Sequence, residues 1–143
     1  MNYWDRLRAF SVLYEKVTEP VRERYHLTRM EFDILMFLHN NPLYTTASDI
    51  VRVRRLTKSH VSASAASLEE KGLLEGRYAE GNRKSIRLRL TPAAAEIVTE
   101  GKKAQADYGE ALLRGFTEAE REQFKAMFLR TCANADAELE RRK

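Results

Sequence analysis

One stretch constrains the fold more than any other. From Leu73 to Leu90 the spacing of apolar residues changes from helical to alternating. Leu73 to Tyr78 reads as a strand, and Glu80-Gly81-Asn82-Arg83-Lys84 reads as a turn. Ile86, Leu88 and Leu90 then alternate with Arg87 and Arg89, as a half-buried strand does. The result is a hairpin with a basic tip and a basic outer side. It is the single β excursion in a chain whose remaining pattern is helical, so the expected fold class is mainly α, with a small α+β element.

The helices are legible from spacing and caps. Tyr3, Leu7, Phe10, Tyr14, Val17 and Val21 form an apolar seam along a first helix over residues 3–25. Pro20 predicts a kink or break near Thr18-Glu19. Thr28 and Glu31 have capping-box spacing and open a second helix, apolar on nearly every side, which ends at Asn40-Asn41-Pro42. Two short helices follow, over residues 48–54 and 58–71. In the second, Val61, Ala65 and Leu68 share one face. Lys58, Ser59, His60, Ser62, Ala63, Ser64 and Ser67 occupy the other. After the hairpin, Thr91-Pro92 reads as an N-cap with proline at the first helical position, opening a helix to about Arg114. Its stripe of Ile97, Gly101, Ala104, Tyr108, Ala111 and Gly115 permits close approach. Thr117 and Glu120 form a second capping box, and the last helix carries Phe124, Phe128, Thr131, Ala135 and Leu139 on one side.

Composition excludes several functions. A chain of 143 residues suits one domain. No apolar run approaches the ~20 residues of a membrane span. Met1 to Arg6 lacks the basic-then-apolar layout of a secretory signal, so a cytoplasmic protein is expected. The single cysteine, Cys132, excludes an internal disulfide and a cysteine-based zinc site. His26, His39 and His60 have no two-ligand spacing, and no cofactor is expected. No nucleophile–base arrangement, phosphate loop or metal motif is present, so the chain does not read as an enzyme.

Charge points to the partner. The chain is +4 overall, yet ten Lys/Arg face only four Glu between Arg52 and Leu90. A basic centre between acidic arms suits a polyanion. The major groove of B-DNA admits one helix and displays the base code there. A helix that reads it needs an apolar back and a slim polar front, which residues 58–67 provide. Ser59, Ser62, Ser64 and Ser67 are small donors, Lys58 and His60 reach further, Ala63 permits close approach, and Thr57 stands at the helix entry. Asn82, Arg83 and Lys84 at the hairpin tip suit the minor groove, where negative potential draws arginine. Arg54, Arg55, Arg77, Arg87 and Arg89 flank them as phosphate contacts. The alternative is a winged-helix module that binds an acidic protein surface rather than DNA. Two long amphipathic end helices lack another partner, which predicts a homodimer through Tyr3, Leu7, Phe10, Leu112, Phe116, Phe124 and Phe128.

The chain resembles the MarR (multiple antibiotic resistance regulator) family of winged helix-turn-helix transcriptional regulators. Leu56-Thr57-Lys58-Ser59-His60-Val61-Ser62, then Leu68-Glu69-Glu70-Lys71-Gly72-Leu73-Leu74, is similar to the family's recognition helix and its exit into the wing. Asn82-Arg83-Lys84-Ser85-Ile86-Arg87-Leu88-Arg89-Leu90-Thr91 follows its wing motif. Asn82 stands where the family usually has Asp, Arg54 and Arg55 stand where Leu and Gly are usual, and Ala95 replaces a frequent glycine. The resemblance implies a homodimer on a palindromic operator in double-stranded DNA. Residues 1–26 and 92–143 would dimerise, and residues 27–91 would form the DNA-binding lobe. It implies that Arg83 enters the minor groove. It further implies a small, often aromatic effector, with Phe10, Tyr14, Tyr25, Phe37 and Tyr44 as candidate lining residues.

Overall fold

The computed structural model describes residues 2–54, 56–79 and 82–143, without the side chains of residues 79 and 82–85. Among the described residues, six α-helices and one hairpin follow in order: α1 (Tyr3–Arg24), α2 (Arg29–Asn40), α3 (Ala47–Arg54), α4 (Lys58–Glu70), β1 (Leu74–Ala79), β2 (Asn82–Leu90), α5 (Ala95–Leu112) and α6 (Glu118–Arg141). A 3₁₀ turn, Pro92–Ala94, precedes α5. The chain divides into two compact units, Met1–Tyr108 and Gly109–Lys143.

Helix α2 is the centre of the first unit. Both halves of its capping box form: Glu31 N–H donates to Thr28 Oγ1 at 3.1 Å, and Thr28 N–H donates to Glu31 Oε1 at 3.4 Å. Phe32, Ile34, Leu35 and Met36 are all at most 2% exposed. Around them pack Val21 of α1, Ile50 of α3, Val61 and Leu68 of α4, Leu88 of β2, and Ile97 and Ala104 of α5. At Gly101 the approach between α5 and α2 leaves no room for a side chain. A Cβ there would lie 2.5 Å from Met36 Sδ and 3.1 Å from Phe32 Cε2.

Helix α1 is continuous through Pro20, so of the expected kink or break the break is not found. Proline removes one N–H and crowds the preceding turn. In the turn before Pro20, Thr18 Oγ1 donates to Tyr14 O and Glu15 O, and Arg22 Nη2 donates to Glu15 O. Only the C-terminal part of the α1 seam is covered. Val21 is buried and Tyr14 and Val17 are half-buried, while Tyr3, Trp4, Leu7 and Phe10 are exposed.

Two helices end in the same way. Leu73 N–H donates to Leu68 O and Gly72 N–H to Glu69 O, with Gly72 at φ 72°. Leu27 N–H donates to Arg22 O and His26 N–H to Glu23 O, with His26 at φ 54°. Both are Schellman motifs, which need a left-handed residue after the helix. Helix α3 also has a box: Thr46 N–H donates to Asp49 Oδ2, and Asp49 N–H donates to Thr46 Oγ1.

The hairpin differs from expectation in its turn. β1 pairs antiparallel with β2 from Leu74↔Leu90 to Tyr78↔Ile86, then jumps to Ala79↔Asn82. Asn82, Arg83 and Lys84 therefore belong to β2, on the irregular side of the ladder, rather than to the turn. The far edge of β2 is pinned by the Thr46↔Arg87 bridge and by Leu88 N–H donating to Thr45 O at 2.7 Å. Thr91 is the N-cap with Pro92 in the first turn, as expected, but the helix begins as a 3₁₀ turn and the Thr91 hydroxyl donates to Gly72 O at 2.6 Å rather than capping it. Helix α5 stops at Leu112, before Gly115 at φ 84°.

In the second unit the Thr117/Glu120 box forms as expected. Helix α6 has no buried residue, and Phe116, Phe124, Met127, Phe128 and Leu129 are all more than 40% exposed. Phe116, Phe124 and Phe128 form a run of ring contacts with centroids 6.0–6.3 Å apart. No helix among the described residues is long and apolar enough to cross a membrane.

Candidate nucleic-acid interface

Thr57 caps α4 by accepting from His60 N–H, at 3.4 Å. This uses its hydroxyl on the helix itself. Behind the helix, Val61 and Leu68 are fully buried and Ala65 is 7% exposed. In front, Ser59, Ser62, Ala63 and Ala66 are exposed. Their spacing of three, one and three puts them in one stripe. Lys58 and His60 are exposed at its N-terminal end. Such a stripe of small side chains lets a helix backbone approach a groove floor closely.

Two serines expected on this front lie elsewhere. Ser64 is 8% exposed and Ser67 is half-buried. Both border a groove of about 610 Å³ at the start of α2, lined also by Thr28, Met30 and Leu56 and, from the edge of the α4 front, by His60 and Ala63. Helical geometry gives the reason: 64 is three residues from Val61 and four from Leu68, both fully buried, so it falls inside the buried arc. Ala66 shows the converse. It belongs to the exposed stripe by period, three residues beyond Ala63 and four beyond Ser62.

The arginines divide into tied and untied. Arg54 Nη2 donates to Asp33 Oδ2 of α2 at 3.2 Å, so it braces α3 on α2 rather than standing clear for phosphate. Burial pushes the Asp33 carboxyl up, while Arg54, Arg29 and Arg22 act against that rise. Arg52 pairs with Asp49 at 3.2 Å and lies over the Tyr44 ring at 5.7 Å. By contrast, Arg77 and Arg87 are exposed, stand directly opposite one another in the ladder, and pair with no carboxylate among the described residues. Like charges facing each other across strands are unfavourable unless an anion sits between them. Arg55 lies outside the described residues, as do the side chains of Asn82, Arg83 and Lys84.

A cavity of about 380 Å³ opens beside α1, α2 and α5. Phe10, Tyr14 and Phe37 line it as expected, joined by Arg29, Asn40, Gln105 and Tyr108. Tyr25 and Tyr44 do not. Its wall is ordered by polar contacts: Gln105 Nε2 donates to Tyr14 OH at 2.9 Å, and Asn40 Nδ2 donates to Gln105 Oε1 at 3.1 Å.

Two short helices, the second with a small polar front and a buried back, followed by an antiparallel hairpin with untied arginines, define a winged helix-turn-helix protein. Known proteins share this design. The MarR family model matches residues 25–85. The transcriptional regulator PecS of Dickeya dadantii is 26% identical over 123 residues, covering 85% of this chain and 74% of PecS. The crystal structure of MarR superposes with a TM-score of 0.81 at 22% identity, covering 96% of this chain and 92% of that one. A MarR family transcriptional regulator from Listeria monocytogenes, solved with a 26mer DNA, gives a TM-score of 0.80 at 16% identity, covering 94% and 89%. Over residues 25–85 the chain is similar to the MarR family, and its fold is that of MarR winged helix structures.

Proposed function

We propose that this chain is a sequence-specific DNA-binding regulator that works in the cytoplasm as a homodimer on a two-fold operator. Residues 27–91 form the DNA-binding lobe, and residues 1–26 and 92–143 form the dimer base. Helix α4 of each subunit enters the major groove, with Ser59, Ser62, Ala63 and Ala66 toward the base edges and Lys58 and His60 beside them. The hairpin takes Arg83 and Lys84 to the minor groove, and Arg77 and Arg87 meet phosphate. The observation that carries this reading is the exposed stripe on α4, backed by the fully buried Val61 and Leu68. The stripe carries no acidic side chain that would repel phosphate and no long side chain that would hold the helix away from a groove floor.

Exposed apolar surface supports the dimer. Tyr3, Trp4, Leu7 and Phe10 on α1, and Phe116, Phe124, Met127 and Phe128 around α6, are all over 40% exposed. The aromatic cavity of about 380 Å³ is the right size for a small aromatic effector.

Selection from a pool of random duplexes, sequenced after binding at two salt concentrations, tests the reading. Enrichment of a palindrome is the expected result. Binding without enrichment, lost at the higher salt, overturns sequence-specific recognition and favours a winged-helix module with an acidic protein partner.

A further inference from the structure

β1 is paired on one edge only, with β2. On its open edge the Gly76 N–H donates to Glu69 Oε1 at 2.6 Å. Glu69 sits in the last turn of α4, is exposed, and pairs with no cation among the described residues. Position 76 is shaped around this contact. A Cβ there would lie 2.7 Å from Glu69 Oε1 and 3.1 Å from Ile86 Cγ2. Two residues beyond Glu69, Lys71 Nζ donates to Glu31 Oε2 at 2.6 Å and to His26 O at 2.8 Å. The end of α4 thus grips two bodies: Lys71 holds the α1–α2 junction, and Glu69 holds the wing.

We propose that Glu69 is a positioning residue that sets the angle between the recognition helix and the wing. The proposal rests on the DNA-reading assignment above. The lever arm makes the angle matter. From Gly76 to the tip is about five residues, ~15 Å at strand rise, so a swing of ~10° displaces the tip by ~2.5 Å. That displacement is comparable to a hydrogen-bond length, enough to lose a minor-groove contact. Because β2 is already pinned at Thr45 and Thr46, the β1 edge is the side on which the wing is otherwise free to rotate.

The full-length protein tests this in two arms. The first is amide hydrogen exchange on the free protein. Glu69→Ala is expected to speed exchange at Gly76 about tenfold, as loss of a charge-assisted hydrogen bond should, with α2 protection unchanged. Glu69→Gln keeps an acceptor oxygen and restores most of the protection. The second is a double-mutant cycle on the selected operator. Arg83→Ala is expected to weaken binding about 30-fold in the wild-type background, and about threefold or less in Glu69→Ala. Unchanged Gly76 exchange, equal Arg83→Ala losses in both backgrounds, or Gln behaving like Ala each overturn the proposal. If the wild-type protein selects no operator, the DNA reading fails, and the exchange arm alone decides whether Glu69 tethers the wing.

Discussion

Glu31 shows how much one side chain can hold. It is 3% exposed, completes the α2 capping box with one oxygen, and accepts from Lys71 Nζ with the other. A carboxylate that deep is tolerated only when paired and hydrogen-bonded. Lys71→Met leaves its charge uncompensated, and the expected cost is ~3 kcal/mol in urea unfolding. A loss under ~1 kcal/mol would show that water replaces the ammonium readily. Asp49 gives a pH signature. Its partial burial acts to raise it, but hydrogen bonds from the Thr46 hydroxyl and backbone and from Arg52 outweigh this and hold it below its ordinary value of 3.8. A depressed carboxylate contributes stability above its unfolded pKa and loses it as pH falls through the folded one. The stability gap between wild type and Asp49→Asn should therefore be full near neutrality and close under acid. A gap that persists in acid would trace to packing instead.

At the scale of elements, the hairpin places Arg77 opposite Arg87 with no counter-ion beside them among the described residues. Such a pair costs a few tenths of a kcal/mol in the free protein and is offset when phosphate binds. Arg87→Ala is expected to leave the melting temperature equal or slightly higher. It should also reduce the slope of log affinity against log salt by about one. An unchanged slope would remove Arg87 from the interface. The elements themselves were largely legible in the sequence. Thr28/Glu31 and Thr117/Glu120 marked two helix starts, because a capping box is contained within four residues. The alternation of Ile86, Leu88 and Leu90 with two arginines marked β2 for the same local reason. The α3 box is less legible, because Asp49 stands where Glu or Gln is usual. Of the kink or break predicted at Pro20, the break did not occur, since α1 continues to Arg24.

For the molecule as a whole, the exposed rings of Phe124 and Phe128, stacked with centroids 6.0 Å apart, belong to the surface assigned above to a partner copy. Phe124→Glu with Phe128→Glu is expected to yield a folded monomer by light scattering. It should lower operator affinity ~100-fold or more, because a two-site engagement becomes a one-site engagement. A variant that remains dimeric would move the dimer contact elsewhere, with α1 the next surface to examine.

What the sequence determined by itself is what neighbours along the chain decide: helix periods, caps, the strand alternation and the basic centre. These signals act over a turn or two, so side-chain type and spacing suffice to reveal them. Only the tertiary structure decided that Ser67, off the apolar face by period, is half-covered at the groove beside the start of α2. It also joined Arg54 to Asp33 across 21 positions and Lys71 to Glu31 across 40. Ion pairs over such separations depend on how helices pack, and packing is set by the shape of the shared apolar core rather than by any local pattern.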